Sequence, residues 1–508
     1  MMFPRRCVIF GWIVAVASCG RFGFDDRLSD GSACAANTEC TETCIANSCQ
    51  PFSPRNGPCD DLDTDDCEPG DVCASARCVG GSGQSCAANA DCAETCISSG
   101  CGPRSASGGA CDDPADCAVI GDSCDATGTC VSTQSQLQPP TLAAGVWHTC
   151  AIAAGALKCW GDNSAGQLGD ATIAERHVPT VVTGMATGVT AVAAGEFHSC
   201  ALQNGGVKCW GAQYGSGRLG DNGVTATYAA SPVQVVGLTS GVISVAAGYY
   251  HSCALMADRT VRCWGFPTSA LGAGPSVANT AIPNEVRNPT NTGPLTGVTK
   301  LIASPDGYHT CAVVGGAAYC WGDNQTGALG DNTLTERYLP TPMAGLASGV
   351  VDVAANINFT CAVLGSGEMR CTGTNASGQL GNTTTTDSRV PIAVQAFGGS
   401  MPHGLAAGNS HACVTAAGGV WCWGGNSNSE LGATSSSTCL GSFPCHLVPL
   451  QVVALPAGSG ALGLTAGGGH TCAVFAAGTL RCWGRNTSGE LGNNSTTTTA
   501  TPVTPTGF

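Results

Sequence analysis

Lysine is almost missing from this chain: Lys158, Lys208 and Lys300 are the three in 508 residues. Charged residues of all kinds reach 11%, under half the usual share of about 25%. Long solvent-facing helices need Glu, Lys and Arg on their polar side, so a mainly helical protein is excluded. A net charge of −15 argues against nucleic acid as a partner, because phosphate binding needs clustered Lys and Arg. No stretch reaches the ~18 apolar residues of a membrane-spanning helix. CxxC pairs are absent from residues 34–130, which removes the usual spacing of a structural zinc site.

What is abundant is glycine (72), cysteine (34) and a hydrophobic fraction of 43%, enough for a sizeable core. The acidity is uneven. Residues 20–135 hold 19 Asp and Glu against 5 Lys and Arg, whereas residues 136–508 hold 16 against 13. Two regions of different chemistry are joined in one chain.

Arg5 and Arg6, the apolar run Cys7 to Val16 and the small residues Ala17 and Ser18 make a secretory signal over 1–18. The ending Val16-Ala17-Ser18-Cys19 resembles the bacterial lipobox, which implies lipid on Cys19 as the mature N-terminus; an ordinary signal peptide with an incidental cysteine is the alternative. Three acyl chains exceed the two signals a stable anchor needs. Gly20 rather than Asp follows, which by resemblance to Gram-negative lipoproteins favours the outer membrane, with the face left open. Residues 19–33 then form a lipidated N-terminus and tether. Setting aside Cys7 and Cys19 leaves 32 cysteines, an even number suited to an oxidising compartment.

Residues 34–130 carry sixteen cysteines in four groups of four: Cys34, Cys40, Cys44 and Cys49; Cys59, Cys67, Cys73 and Cys78; Cys86, Cys92, Cys96 and Cys101; Cys111, Cys117, Cys124 and Cys130. A module of ~20 residues cannot bury a stabilising core, so cross-links must replace it; the pairing within each group stays open. The modules faintly resemble Dickkopf-type cysteine-rich repeats. The run Asp61 to Asp66 begins like a calcium loop, but Asp66 stands where the turn glycine belongs and Val72 where the closing Glu belongs. A solvated acidic loop is the reading taken, and no metal or other cofactor is expected. Residues 131–140 form a Pro-containing linker.

From 141 to 508 one pattern recurs seven times at intervals of 50–59 residues, the signature of a repeat architecture. Its first copy is AAGVWHTCAIAAGALKCWGDNSAGQLGD, from Ala143. Ala154-Gly155 divides two short apolar arms, as in a β-hairpin. Strands this short must stack in an array that closes or is capped. The text is similar to the repeat of the regulator-of-chromosome-condensation family, which implies a seven-bladed propeller. The fold class is thus all-β: a seven-bladed β-propeller preceded by small disulfide-rich modules. The strand near Pro502-Val503 is expected to join the first copy and close the ring. The fifth copy departs most, with Phe359 in place of His and Thr372 in place of Trp.

Each copy adds two cysteines with eight or nine residues between them, opposite each other on the hairpin arms, where opposed Cβ atoms lie near disulfide distance. The pairs are Cys150 with Cys159, Cys200 with Cys209, Cys253 with Cys263, Cys311 with Cys320, Cys361 with Cys371, Cys413 with Cys422 and Cys472 with Cys482. Cys439 and Cys445 pair within an insertion of the sixth copy.

Six histidines (His148, His198, His251, His309, His411, His470) stand two positions before a cysteine. One per blade suits scaffolding better than zinc, with the ring bonded to backbone within its own blade. Gly215-Ser216-Gly217-Arg218-Leu219-Gly220 matches a dinucleotide fingerprint without the βαβ unit that gives it meaning. No nucleophile with a base stands out, nor paired carboxylates in a shared pocket, and the protein is not expected to be an enzyme. Before the repeated His stand Trp147, Phe197, Tyr250 and Tyr308, with Tyr249 alongside. Two readings are open: packing inside the blades, or a rim of aromatic anchors for a partner, as resemblance to secreted β-lactamase-inhibiting propellers implies. The function expected is a membrane-anchored extracytoplasmic binding protein for a protein or glycan partner. The alternatives are a polysaccharide-acting enzyme and a guanine-nucleotide exchange factor, the latter disfavoured by export.

Overall fold

A computed structural model describes residues 142–508, apart from 224–226, 397–401, 436, 440 and 476–477, together with short strands between 43 and 132. The signal, Cys19, the acidic loop and the linker lie outside the described residues. The chain divides into two compact units, Met1–Gln136 and Leu137–Phe508.

In the first unit, four two-stranded hairpins are described: Thr43–Ile45 with Ser48–Gln50, Asp71–Ala74 with Arg77–Gly80, Thr95–Ile97 with Gly100–Gly102, and Asp122–Cys124 with Cys130–Ser132. Their registers pair Cys44 with Cys49, Cys73 with Cys78, Cys96 with Cys101, and Cys124 with Cys130.

The second unit is an all-β propeller of seven antiparallel sheets, each from one continuous segment. The first blade runs inward strand to outer strand as Leu142–Ala144, His148–Ala153, Ala156–Gly161 and Arg176–Val181. The seventh runs Ala461–Ala466, His470–Phe475, Leu480–Gly484 and Thr499–Val503. The expected exchange of a strand between the ends is therefore corrected: Thr499–Val503 completes its own blade, pairing Val503 with Cys482. The sixth blade adds Ser437–Cys439 beside the long outer strand Phe443–Gln451.

The hairpin turn forms because Ala154 and Gly155 both take positive φ, 49° and 76°, as a two-residue turn matched to strand twist requires. That turn sets Cys150 directly opposite Cys159, with a Cα–Cα distance of 4.1 Å and a closed disulfide. The other six blades repeat the pair at 4.0–4.1 Å, and Cys439–Cys445 closes the insertion at 5.8 Å.

The core lies between blades rather than within them. Cys150, Leu157, Cys159, Leu168 and Met185 of the first blade pack with Val189, Ala201 and Trp210 of the second. The closing junction has the same form, Cys472, Leu480 and Cys482 packing with Ala151 and Trp160. The inner strands leave a narrow channel of about 220 Å³ lined mainly by alanine and aliphatic side chains, with Lys300 at its wall.

Candidate functional site

The repeated histidines are buried, and each reaches the next blade. Nε2 of His148 lies 2.8 Å from Ser199 Oγ, and Ser199 Oγ donates to Gln167 O at 2.9 Å. With the hydroxyl proton committed there, Nε2 carries the ring proton and Nδ1 is left without a partner. The unit recurs as His198 with Ser252, His251 with Thr310, His309 with Thr360, His411 with Thr471, and His470 with Thr149. Gln167 O also accepts from Trp210 Nε1 at 2.9 Å, so one carbonyl collects two donors from the neighbouring blade. Backbone bonding within the blade, the sequence expectation, is thus corrected to a side-chain bond between blades. Burial holds His148 down at about 4 and His251 at about 3. These rings are neutral scaffolding. Gly145 is required beneath them, because a Cβ there would fall 2.7 Å from the His148 ring.

The residues preceding these histidines emerge on the rim that also carries the loop after the third strand, since Asp162 N donates to Trp147 O. That loop is held by a buried asparagine. Asn163 Oδ1 accepts from Leu168 N at 3.0 Å, and its Nδ2 donates to Thr172 O and Ala174 O; Asn324, Asn375 and Asn486 repeat the arrangement.

All five predicted aromatics are half-buried on this rim, and they do not form one continuous arc. Tyr249, Tyr250 and Tyr308 come together, with ring centroids 4.1 Å (Tyr249–Tyr250), 5.1 Å (Tyr249–Tyr308) and 5.9 Å (Tyr250–Tyr308) apart. Phe266, which sequence reasoning missed, stands 6.1 Å from Tyr250, and the buried Arg218 lies 4.2 Å above the Tyr250 ring. Trp147 is separate: Arg485 of the seventh blade stacks on it at 3.7 Å. Among the described residues no ring pairing joins Phe197 to either group.

Beside the tyrosines opens a hollow of about 450 Å³, lined by Glu196, Tyr249, Asp306, Tyr308, Asp323 and Ile357, among others. Glu196 follows the inner strand of the second blade at the place where the first blade has Val146, and Asp306 lies in the longer loop 304–308 after the inner strand of the fourth. Glu196 is 9% exposed, and burial, reinforced by the Asp306 charge, raises its carboxyl to about 7. Burial likewise raises Asp306 to about 6, against the pull of Asn409 and Arg485. Asn409 Nδ2 donates to Asp306 Oδ2 at 2.5 Å. The sequence reading found no carboxylates sharing a pocket; the fold brings these two into one. Among the described residues no group of three or more His, Cys, Asp or Glu could hold a metal ion.

Residues 155–202 and 315–363, and residues 242–269, 350–379 and 463–490, match two profiles of the regulator of chromosome condensation (RCC1) repeat. The chain is 30% identical over 201 residues to the probable E3 ubiquitin-protein ligase HERC4 of Homo sapiens, covering 39% of this chain and 18% of the ligase. It is 31% identical over 258 residues to the ultraviolet-B receptor UVR8 of Arabidopsis thaliana, covering 50% of this chain and 55% of the receptor. The match thus spans about a fifth of the ligase and about half of the receptor. Among solved structures, Prp20p from Saccharomyces cerevisiae aligns with a TM-score of 0.59 at 20% identity, over 73% of this chain and 89% of that one. Human WBSCR16 aligns with a TM-score of 0.58 at 20% identity, over 70% and 94%. These structures share the fold.

Proposed function

We propose that this propeller of RCC1 repeats binds a protein partner through the rim that carries Tyr249, Tyr250 and Tyr308, and is held at a membrane by lipid on Cys19. The observation that carries the reading is the packed tyrosine trio beside an open hollow. Aromatic rings that are half-buried before binding lose little conformational freedom on contact and are the usual anchors of protein interfaces. Prp20p, which shares the fold, has binding properties to Gsp1p and histones, so such a scaffold accommodates protein ligands. The proposal of export with lipidation rests on the sequence of residues 1–19, and with it goes a partner outside the cytoplasm.

A photo-cross-linking residue at Gln325, in the lining of the hollow, tests the reading in intact cells against one at Asn204, in a hairpin turn on the opposite rim. A protein captured from Gln325 and not from Asn204 supports it. Equal capture from both positions, or capture of polysaccharide alone, overturns it.

A further inference from the structure

Two unsatisfied acceptors stand at the hollow. Glu196 is nine-tenths buried and its Oε2 has no partner; Asn409 Oδ1, beside Asp306, is also without one. The hollow is lined by three carboxylates, Glu196, Asp306 and Asp323, and by no Lys or Arg. The two nearby arginines are engaged elsewhere. Arg218 donates to Ser216 Oγ and Tyr249 O while stacked on Tyr250. Arg485 pairs with Glu490 at 2.9 Å, donates to Val146 O, and is stacked on Trp147. A ligand that satisfies these two acceptors donates to them, and positive charge complements the carboxylates once they are ionised. A sugar hydroxyl donates and accepts, and brings no charge. Tyrosine faces attract a desolvated ammonium or guanidinium.

We infer that the hollow receives a single lysine or arginine side chain of the protein partner, its cationic head between Glu196 and Asp306 and its stem along Tyr249 and Tyr308. This rests on the rim reading above and names the chemistry it recognises. The volume, about 450 Å³, lies in the range of small-ligand pockets and accommodates one such side chain. Glu196 faces Asp306, Tyr249 and Arg218, and a cation beside it favours its ionised form. Binding therefore releases a proton near neutral pH and is tighter at pH 8 than at pH 6.

The test is calorimetric titration of the full chain with three probes: Nα-acetyl-lysine methylamide, its arginine counterpart, and the neutral Nα,Nε-diacetyl-lysine methylamide. N-acetylglucosamine disaccharide and calcium chloride serve as competitors. The expected result is binding of the two cationic probes alone, weakened at least tenfold by Glu196→Gln and roughly tenfold from pH 8 to pH 6. Glu196→Gln relieves a buried charge, so its melting temperature should hold or rise. Equal binding of the neutral probe, preferred binding of the disaccharide, displacement by calcium, or no effect of Glu196→Gln overturns the inference. Failure of the cationic probes with capture at Gln325 intact removes the inference and leaves the rim reading standing. Probe binding without that capture removes the protein partner, and with it the inference as stated, and leaves a bare cation site.

Discussion

Phe359 and Ala412 occupy, at the junction of the fifth and sixth blades, the places that a histidine and a hydroxyl side chain hold at the other six. Both are buried in one apolar cluster. The loss of the ring nitrogen in one blade is matched by loss of its partner in the next, so no orphaned hydroxyl is left. The carbonyl that would have taken the hydroxyl proton, Gln379 O, still accepts from Trp423 Nε1 at 2.9 Å.

This junction is open to exchange. Phe359→His alone should destabilise by roughly 1–3 kcal/mol, the cost of burying a polar group without a partner. Adding Ala412→Ser should recover at least half of that loss. Denaturant unfolding under non-reducing conditions reads both; a double variant no better than the single would show that the pair is not the unit.

Acid should weaken the propeller. Burial depresses all six histidines, to about 4 or 3 for His148, His251, His309 and His411 and well below the ordinary value for His198 and His470. The unfolded chain therefore binds their protons first, and stability falls as pH drops from 6.5 toward 4. Glu196, Asp306 and Glu430 are raised in the fold and oppose this over pH 7 to 4.5. Six groups outweigh three, so the melting temperature should decline across that range. A flat or rising curve would contradict the assignment of neutral rings.

Each hairpin disulfide closes a loop of nine or ten residues. Replacing Cys200 and Cys209 together by Ala should cost roughly 2–3 kcal/mol and leave the other blades closed. Peptide mapping without reduction should recover eight bridges from the propeller. Free thiols in several blades would refute the pairing.

Trp147 and Tyr308 should behave differently when cut to Ala. Trp147 lies under Arg485 at the closing junction, so its loss should lower the melting temperature by a few degrees. Tyr308 lines the hollow, so its loss should weaken partner capture at Gln325 about tenfold or more with little thermal change, since 1.4 kcal/mol is tenfold. The reverse pattern would move the binding face elsewhere, first to the insertion around Phe443, which is 55% exposed.

The membrane anchor makes its own demand. A fatty-acid analogue should label the wild-type protein, and Cys19→Ala should shift it to the soluble fraction. Unlabelled soluble wild type would end that proposal.

What is local in the chain was legible in it. The hairpin, its Ala154-Gly155 turn and the opposition of Cys150 to Cys159 all lie within a dozen residues, so spacing alone determines them. The histidine partner was not legible, because it sits a whole repeat away. A signal was present nonetheless: the residue after each repeated His or Phe is Thr or Ser except at Ala412, immediately downstream of the one blade that lacks the His. Glu196 and Asp306 were harder still. They lie 110 residues apart, and neither stands out in its own repeat. Only closure of the ring places them on one hollow with Tyr249. The tyrosines were visible as a run of aromatics, but Phe266 and the capture of Trp147 by Arg485 depend on neighbours from other parts of the chain.

The seventh and first blades meet through His470 and Thr149 as five of the six other neighbouring pairs meet, with no strand traded between them. The circle consequently carries no scar where its first and last blades adjoin. Its connectivity is interchangeable: a circularly permuted chain opened between residues 342 and 350, with the old propeller ends joined, would present the same seven contacts in the same order. For this architecture the order of blades around the axis is what the sequence must preserve, and the position of the ends is free to drift.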